Sequence, residues 1–444
     1  MANFIERPRY TCALGGALGT ITALPEVIPI LHVAQGCAGN AVWTQNGGSA
    51  LQVGGYCGGL TVPSSNVHER EVVFGGVDRL SEQIATTLQI MEGRLYFVIT
   101  GCVTDIIGDD VRAVVNRFQQ DGVTIIHAET GGFKGNSYTG YDLVLQSLFR
   151  NYVQSGQKTV SRRVNLWGIV PFMDVFWRGN LEAVRVLLEQ LGLSVNTFFT
   201  AADTLDSLKQ AGNAELNIVL SPTYGVEAAR VFQEAHGTPY QVAVPPIGPT
   251  ATATFLRQIA TALQIETSMV ERVIADESRR YYHYLETLTD CYNDLDLQRF
   301  AIVVGDANYS VALTNFLSDD LGWLPELVVC TDQLTPVEQS QVAAMVQPET
   351  ILPRLVFETD TGEVIRHFKS GWPEFHGQKY YNAFSPAFVI GSSLDRQLAL
   401  DIGAAHLSVS FPVANRAIID RGYFGFQGGL RLIEDLFSSI VAGR

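Results

Sequence analysis

Hydrophobic and polar positions alternate in blocks along the chain, most clearly in its middle third. A continuous apolar run over Val164–Val170 predicts a buried strand. The next segment, Leu181–Leu191, repeats apolar residues every three or four positions, which predicts a helix with Asn180 as N-cap and Gly192 just past its end. Alternating elements with short connections predict a parallel, doubly wound sheet. The further elements are strand Val195–Phe199, helix Leu205–Ala211, strand Leu216–Leu220, helix Val226–Ala235 and strand Tyr240–Val244.

The same alternation recurs on both sides of this block. A long amphipathic segment, Ser268–Leu288, separates the second block from the third. We therefore predict an α/β protein of three Rossmann-like domains, each a mainly parallel sheet flanked by helices, over residues 1–158, 159–291 and 292–444. The elements upstream are strand Tyr96–Thr100, helix Asp110–Gln120 and strand Val123–His127; those downstream are strand Arg299–Asp306, helix Val311–Leu317, and strands Leu327–Cys330 and Ala387–Ile390.

Composition narrows the classes of partner. The chain has 444 residues, of which 47% are apolar and only 17% charged, so we expect another subunit to cover part of its surface. Its net charge is −15 and it has no run of lysine and arginine, which makes nucleic acid and anionic membranes poor partners. The start, MANFIERPRY, lacks the apolar region of a secretory signal, and we expect a cytoplasmic protein.

The nucleotide-binding motifs of such folds are missing. No GxxxxGK[ST] occurs, and no predicted strand is followed by GxGxxG. The stretch Gly15–Thr20 (GGALGT) resembles a phosphate loop only in its glycines, and we expect it to serve close packing instead. The sequence therefore predicts no ATPase activity for this chain.

Three cysteines stand in glycine-rich surroundings: Cys12 in RYTCALGG, Cys37 in HVAQGCAGN and Cys102 in ITGCVTDIIGDDV. Taken alone, each is more often a small buried apolar residue than a ligand. Their spacing does not match a zinc motif. Thiolates are nevertheless the usual ligands of iron–sulfur clusters, and loops at the carboxyl ends of parallel strands can bring such side chains to one place.

The flanking segments change this interpretation. Six segments resemble, in the same order, segments of the component 1 proteins of the nitrogenase family. They are QGC, VFGGVDRL, CVTDIIGDDV, GNSYTGYD, PPIGPTATATFL and the ending SFPVANRAIIDRGYFGFQGGLRLIEDLF. The family has homologous α-type and β-type subunits. The α type holds the catalytic cofactor through one cysteine and one histidine, and the matching regions here contain neither. The chain is thus identified as similar to a β-type subunit, and the cofactor is expected in its α-type partner.

The resemblance implies that Cys12, Cys37 and Cys102 hold the β half of the P-cluster, an [8Fe-7S] electron relay shared with the α subunit. It also implies an α2β2 heterotetramer and a homodimeric, ATP-dependent iron protein as electron donor. In molybdenum-type β subunits a serine can bind the oxidised cluster. Asn136 takes that position here, and Ser137 follows it. Cys291 and Cys330 are expected to be structural, and the role of Cys57 stays open.

Nearby polar residues have simpler explanations. We expect His32 and His68 to satisfy local main-chain groups, although a histidine beside a cluster could tune its potential. Asp109 and Asp110 are expected to open a helix, where carboxylates complement the helix dipole.

Three classes of function remain: a β-type subunit of a nitrogenase-like reductase, a scaffold for cofactor assembly, and a structural relative without a cluster. The complete cysteine set favours the first. HVAQGC replaces the usual HGSQGC, and the segment after Cys37 departs from nitrogen-fixing members. These differences indicate a nitrogenase-like enzyme such as methylthio-alkane reductase, which cleaves C–S bonds, with dinitrogen as the alternative substrate.

Overall fold

A computed structural model describes residues 5–52, 62–294, 296–348, 352–372 and 384–442. Its named strands form three sheets, in which every pairing of neighbouring strands is parallel. One sheet falls within each of the three predicted ranges, and helices flank the sheets. The predicted α/β class with three mainly parallel sheets is confirmed, while the domain boundaries themselves stay predictions.

The first sheet carries the segments around the three cysteines. Its strand order is β1-β2-β3, and all six residues of the central strand are buried, as expected for a strand flanked on both sides. Strand β1 contains Pro29, which an edge strand tolerates because its free edge needs no N–H donor. The strands are β1 (Val27–His32), β2 (Leu95–Thr100) and β3 (Ile125–Ala128); the helices are α1 (Ala13–Thr22), α2 (Cys37–Gly48), α3 (Glu69–Phe74), α4 (Val77–Ile90), α5 (Cys102–Ile107), α6 (Val111–Gln120) and α7 (Ser137–Asn151).

The second sheet has the order β5-β4-β6-β7. Its first long helix begins at Trp177, three residues before the predicted Asn180 cap, so that prediction was wrong. Asn180 lies inside the helix, fully buried, and its side chain bonds to Asp174 and to the main chain of Tyr423. The strands are β4 (Arg163–Trp167), β5 (Ser194–Asn196), β6 (Leu216–Val219) and β7 (Tyr240–Val242); the helices are α8 (Trp177–Gln190), α9 (Leu205–Lys209), α10 (Val226–His236), α11 (Gly248–Ala262), α12 (Thr267–Leu285) and α13 (Thr289–Asp294).

The third sheet has the order β10-β9-β8-β11-β12, in which the chain reverses its direction of winding between β8 and β11. None of the helices in the described ranges has both the length and the apolar character needed to cross a membrane. The strands are β8 (Phe300–Gly305), β9 (Leu324–Cys330), β10 (Arg354–Phe357), β11 (Ala387–Gly391) and β12 (Ala405–Ser408); the helices are α14 (Ala307–Asn315), α15 (Pro336–Met345), α16 (Val364–Gly371), α17 (Arg396–Asp401) and α18 (Gly425–Ala442).

Helices α1 and α7 cross with their main chains in contact. A Cβ atom at Gly16 would lie 1.9 Å from the carbonyl oxygen of Ser137, and one at Gly140 would lie 2.0 Å from that of Ala13. Only glycine fits at both positions. The expectation that the GGALGT stretch serves close packing is therefore confirmed, and the packing brings the start of α1 against the start of α7.

Candidate cluster site

Cys12 is the N-cap of α1, where the chain meets the start of α7. Its main chain forms an antiparallel bridge with Asn136. Next to this bridge, the N–H of Ser137 donates to the carbonyl oxygen of Thr11 at 2.8 Å. The Cys12 side chain is exposed. The glycine contact between the two helices thus fixes the first candidate ligand at the surface.

Cys37 is the first residue of α2 and follows Gly36. Gly36 has φ of 92°, a conformation that residues with side chains rarely adopt, so glycine allows the turn into the helix. The Cys37 side chain is half-buried, and its pKa is raised, first by burial and then by the charges of Cys12 and Cys102. That mutual influence places the three thiols within electrostatic range of one another.

Cys102 follows β2 and is the first residue of α5. A Cβ atom on the preceding Gly101 would lie 2.9 Å from a methyl group of Val33, so the strand passes close to its neighbour before the turn. The side chain of Cys102 is exposed, and its Sγ accepts a hydrogen bond from the N–H of Gly132 at 3.0 Å.

Gly132 lies between two of the cysteines. A Cβ atom there would lie 3.1 Å from the Sγ of Cys102 and 3.2 Å from the Cβ of Cys12. Because its hydrogen atom leaves this space open, the main chain can approach both thiols. Cys12 also lines a groove of about 720 Å³ that is shared with Asn136 and with Gln333 of the loop after β9.

The arrangement fits an anionic iron–sulfur group. All three thiols stand where a helix begins, and unpaired N–H groups and the positive end of the helix dipole stabilise thiolates there. In the described parts of the chain, no three His, Cys, Asp or Glu side chains are placed to hold a single metal ion. Within those described residues, Cys12, Cys37 and Cys102 are therefore candidate ligands that this chain does not by itself assemble into a site for one metal ion.

Asn136 and Ser137 differ in their surroundings. Asn136 lines the groove with Cys12, and its Oδ1 caps α7 by accepting from the N–H groups of Tyr138 and Thr139 at 3.1 and 3.3 Å. Ser137 is fully buried, and its hydroxyl has no hydrogen-bond partner in the structure. Of the two, Asn136 is the residue that borders the groove.

The remaining cysteines lie elsewhere. Cys330 ends β9 and is fully buried, and burial raises its pKa well above the ordinary value. Cys291 is exposed on α13. Cys57 lies outside the described residues. The cysteines of the described chain thus divide into three at helix starts around the first sheet and two much farther along the chain, Cys291 and Cys330.

One of the two carboxylate predictions was wrong. Asp110 caps α6, as predicted, by accepting from the N–H of Ala113 at 2.9 Å. Asp109 instead lies 2.8 Å from the Nε2 of buried His32 and accepts from the N–H of Gly76, also at 2.8 Å. It therefore ties the end of β1 to the start of α4. Burial, the largest influence, lowers the pKa of His32 against the opposing effect of Asp109.

The loop that carries Gly132 was not predicted from the sequence. Asp105, one turn after Cys102, accepts from the N–H of Gly131 at 3.1 Å. The paired glycines 131–132, separated from the end of β3 by two residues, were the available signal, because glycine often marks a close approach of the main chain.

Exposed apolar side chains lie on α5, which carries Cys102, and on two segments that contact Cys102 or α5. Phe133 is next to Gly132, Ile106 is on α5, and Val73 and Phe74 end α3, which packs against α5. Phe74 is 83% exposed. Large apolar groups grouped in this way are typical of a surface that another protein covers.

Comparison with known proteins adds an independent result. The family model of nitrogenase component 1 type oxidoreductases matches residues 12–440. A nitrogenase vanadium-iron protein β chain of Trichormus variabilis is 25% identical over 343 residues, covering 70% of this chain and 69% of its own length. The iron-iron protein β chain of Rhodobacter capsulatus is 22% identical, covering 98% and 94%.

A second kind of relative matches equally well. The nitrogenase iron-molybdenum cofactor biosynthesis protein NifE of Methanococcus maripaludis is 24% identical, covering 96% of this chain and 82% of its own length. Among solved structures, nitrogenase Cp1 at pH 6.5 superimposes with a TM-score of 0.79 at 18% identity, covering 99% of this chain and 95% of that one. At this identity the superposition supports the fold alone.

Proposed function

The chain belongs to the family of nitrogenase component 1 type oxidoreductases, and we propose that it is a β-type subunit whose Cys12, Cys37 and Cys102 hold half of an interfacial P-cluster. The cluster, of the [8Fe-7S] form, passes electrons from an ATP-dependent iron protein to a cofactor in the α-type partner. The complex is an α2β2 heterotetramer of the cytoplasm, and the iron protein is a homodimer.

The observation that carries this proposal is the meeting of three thiols at the starts of three helices on one partly apolar face. Each helix start favours negative charge on its sulfur through the helix dipole, while burial and the other two thiols oppose it at Cys37. Three thiolates are too few for eight irons, so the remaining ligands come from a second chain. Phe74, Ile106 and Phe133 are exposed on or next to the helix and loop that surround Cys102, which supports a partner seated on this face.

The placement of the catalytic cofactor in the partner is supported by the packing of two other segments. In α-type members a cysteine and a histidine hold the cofactor, and the matching regions here surround Ile247 and Phe424. These two residues are buried and bridged main chain to main chain, and the N–H of Gly425 donates to the carbonyl oxygen of Pro246 at 2.6 Å. The two segments are packed against each other.

For the oxidised cluster we propose Asn136, not Ser137, as the nearer side chain. Asn136 borders the groove of Cys12, whereas Ser137 is buried behind it. Since an amide is a weak iron ligand and the Oδ1 of Asn136 already caps α7, we expect no protein ligand to be added on oxidation at this position.

As substrate class we propose small methylthio-alkanes, with reductive cleavage to methanethiol and a hydrocarbon by two electrons and two protons. The proposal rests on the departure of HVAQGC and the segment after it from the pattern of nitrogen-fixing members. Dinitrogen is the second candidate. The purified complex, given its iron protein and ATP, should release methanethiol from a methylthio-alkane; formation of ammonia under dinitrogen without methanethiol would favour the second.

A scaffold role in cofactor assembly is the alternative function, and the match to NifE favours it. A relay subunit takes part in repeated substrate reduction, whereas an assembly scaffold does not. We propose anaerobic purification of the chain with its native partners, followed by iron analysis and stopped-flow oxidation of the iron protein with ATP. A relay subunit accepts electrons from the iron protein in a step that Cys37→Ala abolishes. A scaffold retains iron but supports no ATP-dependent substrate reduction.

A further inference from the structure

The loop between β3 and α7 is fastened to the segment that carries Cys102. At the end of β2, Thr100 accepts from the N–H of Thr130 through its Oγ1 at 2.9 Å, and its carbonyl oxygen accepts from the Oγ1 of Thr130 at 2.8 Å. Both threonines are fully buried or nearly so. Thr130 donates both bonds, and together they fix the beginning of the loop to the residue two positions before Cys102.

A second fastening follows it directly. The Oδ2 of Asp105 accepts from the N–H of Gly131 at 3.1 Å and lies 3.5 Å from the Nζ of Lys134. The side chain of Asp105 is 7% exposed. A Cβ atom at Gly131 would lie 2.6 Å from this oxygen, so the glycine permits the contact. The loop is thus held on both sides of Gly131.

We propose that Asp105 is a positioning residue that holds this loop so that the N–H of Gly132 donates to the thiolate of Cys102 and raises the reduction potential of the bound cluster. The inference rests on the proposed function, because it concerns the cluster at Cys102. The 3.0 Å contact between Gly132 and the sulfur is its geometric basis. A hydrogen bond to a cluster sulfur stabilises the more negative, reduced form and therefore raises the potential.

The direction in which the reduction potential shifts distinguishes a positioning role of Asp105 from a direct effect of its negative charge on the cluster. Asp105→Ala removes the acceptor of Gly131, which loosens the loop and weakens the bond to sulfur; the potential then falls. The same substitution also removes a negative charge near the cluster, which by itself would raise the potential. Asp105→Asn removes the charge but keeps an oxygen that can accept from Gly131. If Asp105 acts by positioning the loop, the reduction potential falls in Asp105→Ala but does not fall in Asp105→Asn.

The experiment is a potentiometric titration of the cluster signal in the anaerobically purified complex, with iron content measured on the same samples. Asp110→Ala serves as the matched control, because it also removes one carboxylate that accepts one main-chain N–H, at α6. We expect a more negative potential in Asp105→Ala, a potential equal to or above wild type in Asp105→Asn, and no change in Asp110→Ala.

A charge-neutral variant keeps the test decisive if Asp105→Ala fails to assemble. Thr130→Val removes the hydroxyl bond to Thr100 without changing charge, and it should also lower the potential. Equal positive shifts in Asp105→Ala and Asp105→Asn, or a wild-type potential in both Asp105→Ala and Thr130→Val, would overturn the inference. If the wild-type complex itself lacks iron and a cluster signal, the proposed function fails, and that outcome is distinct from a cluster whose potential ignores Asp105.

Discussion

Replacing Gly132 by alanine should displace the ligands of the cluster while leaving the fold intact. The added methyl group would lie 3.1 Å from the Sγ of Cys102 and 3.2 Å from the Cβ of Cys12, each a few tenths of an ångström too close. Such overpacking costs about 1–3 kcal/mol. Because the thiol of Cys102 can rotate away, we expect the cost to fall on cluster binding, which weakens about 5- to 150-fold at about 1.4 kcal/mol per tenfold.

The assay is iron per chain after anaerobic purification, together with the melting temperature of the iron-free chain. Gly47→Ala is the control, since apart from the nearby backbone of α2 itself no atom of the described residues lies within 4 Å of the added methyl group. We expect this control to bind iron normally and to be slightly stabilised, because alanine favours helices over glycine by up to about 1 kcal/mol. Wild-type iron content in Gly132→Ala, or an equal loss in Gly47→Ala, would refute the reasoning.

Further expectations concern ligands, partner surface and pH. Cys37→Ala should remove most of the iron and the cluster's redox signal, whereas Cys291→Ala, on α13, should leave both near wild type; equal losses would contradict the ligand assignment. Phe74→Asp should weaken association with the α-type partner about 10- to 100-fold, since burying such a side chain contributes about 1.5–3 kcal/mol. Ile90→Asp is the control, because Ile90 is 73% exposed at the far end of α4, and the dissociation of both co-expressed complexes on dilution is measured by mass photometry. The chain expressed without a partner should be polydisperse in light scattering, and a well-behaved monomer would count against the interface. Burial raises the pKa of Asp174 from 3.8 to about 6, so its contribution to folding is present below pH 4 and is lost as the pH rises through 6, by about 3 kcal/mol in total. Asp174→Asn should flatten the fall in melting temperature between pH 4 and 7, and an unchanged slope would show that the carboxyl does not titrate there.

Strong periodicity made much of the architecture predictable. Six elements lie within a few residues of their predicted positions: strands β2, β6 and β8 and helices α6, α10 and α12. Strand β1 escaped prediction because Pro29 interrupts it, and an edge strand tolerates this. Asparagine is a common N-cap residue, but the side chain of Asn180 bonds to Asp174, six residues earlier, and to the main chain of Tyr423, far along the chain. It is therefore not available to cap the helix, which begins at Trp177.

The candidate site was predictable only in part, and for a physical reason. Cysteine identity and glycine flanks are local features, so Cys12, Cys37 and Cys102 stood out in the sequence. The partners of Asp109 and Asp105 are His32 and Gly131, which the fold brings in from distant segments. A local pattern cannot reveal such contacts, so Asp109 was predicted to open a helix and Asp105 had no predicted role.

The most direct test of the account is an anaerobic structure of the native complex with anomalous scattering at the iron edge. We expect iron within bonding distance of the sulfur atoms of Cys12, Cys37 and Cys102, in one cluster that continues to thiolates of a partner chain. A large cluster enclosed wholly within this chain and away from these residues, or three thiols facing the partner without iron, would contradict the β-type assignment.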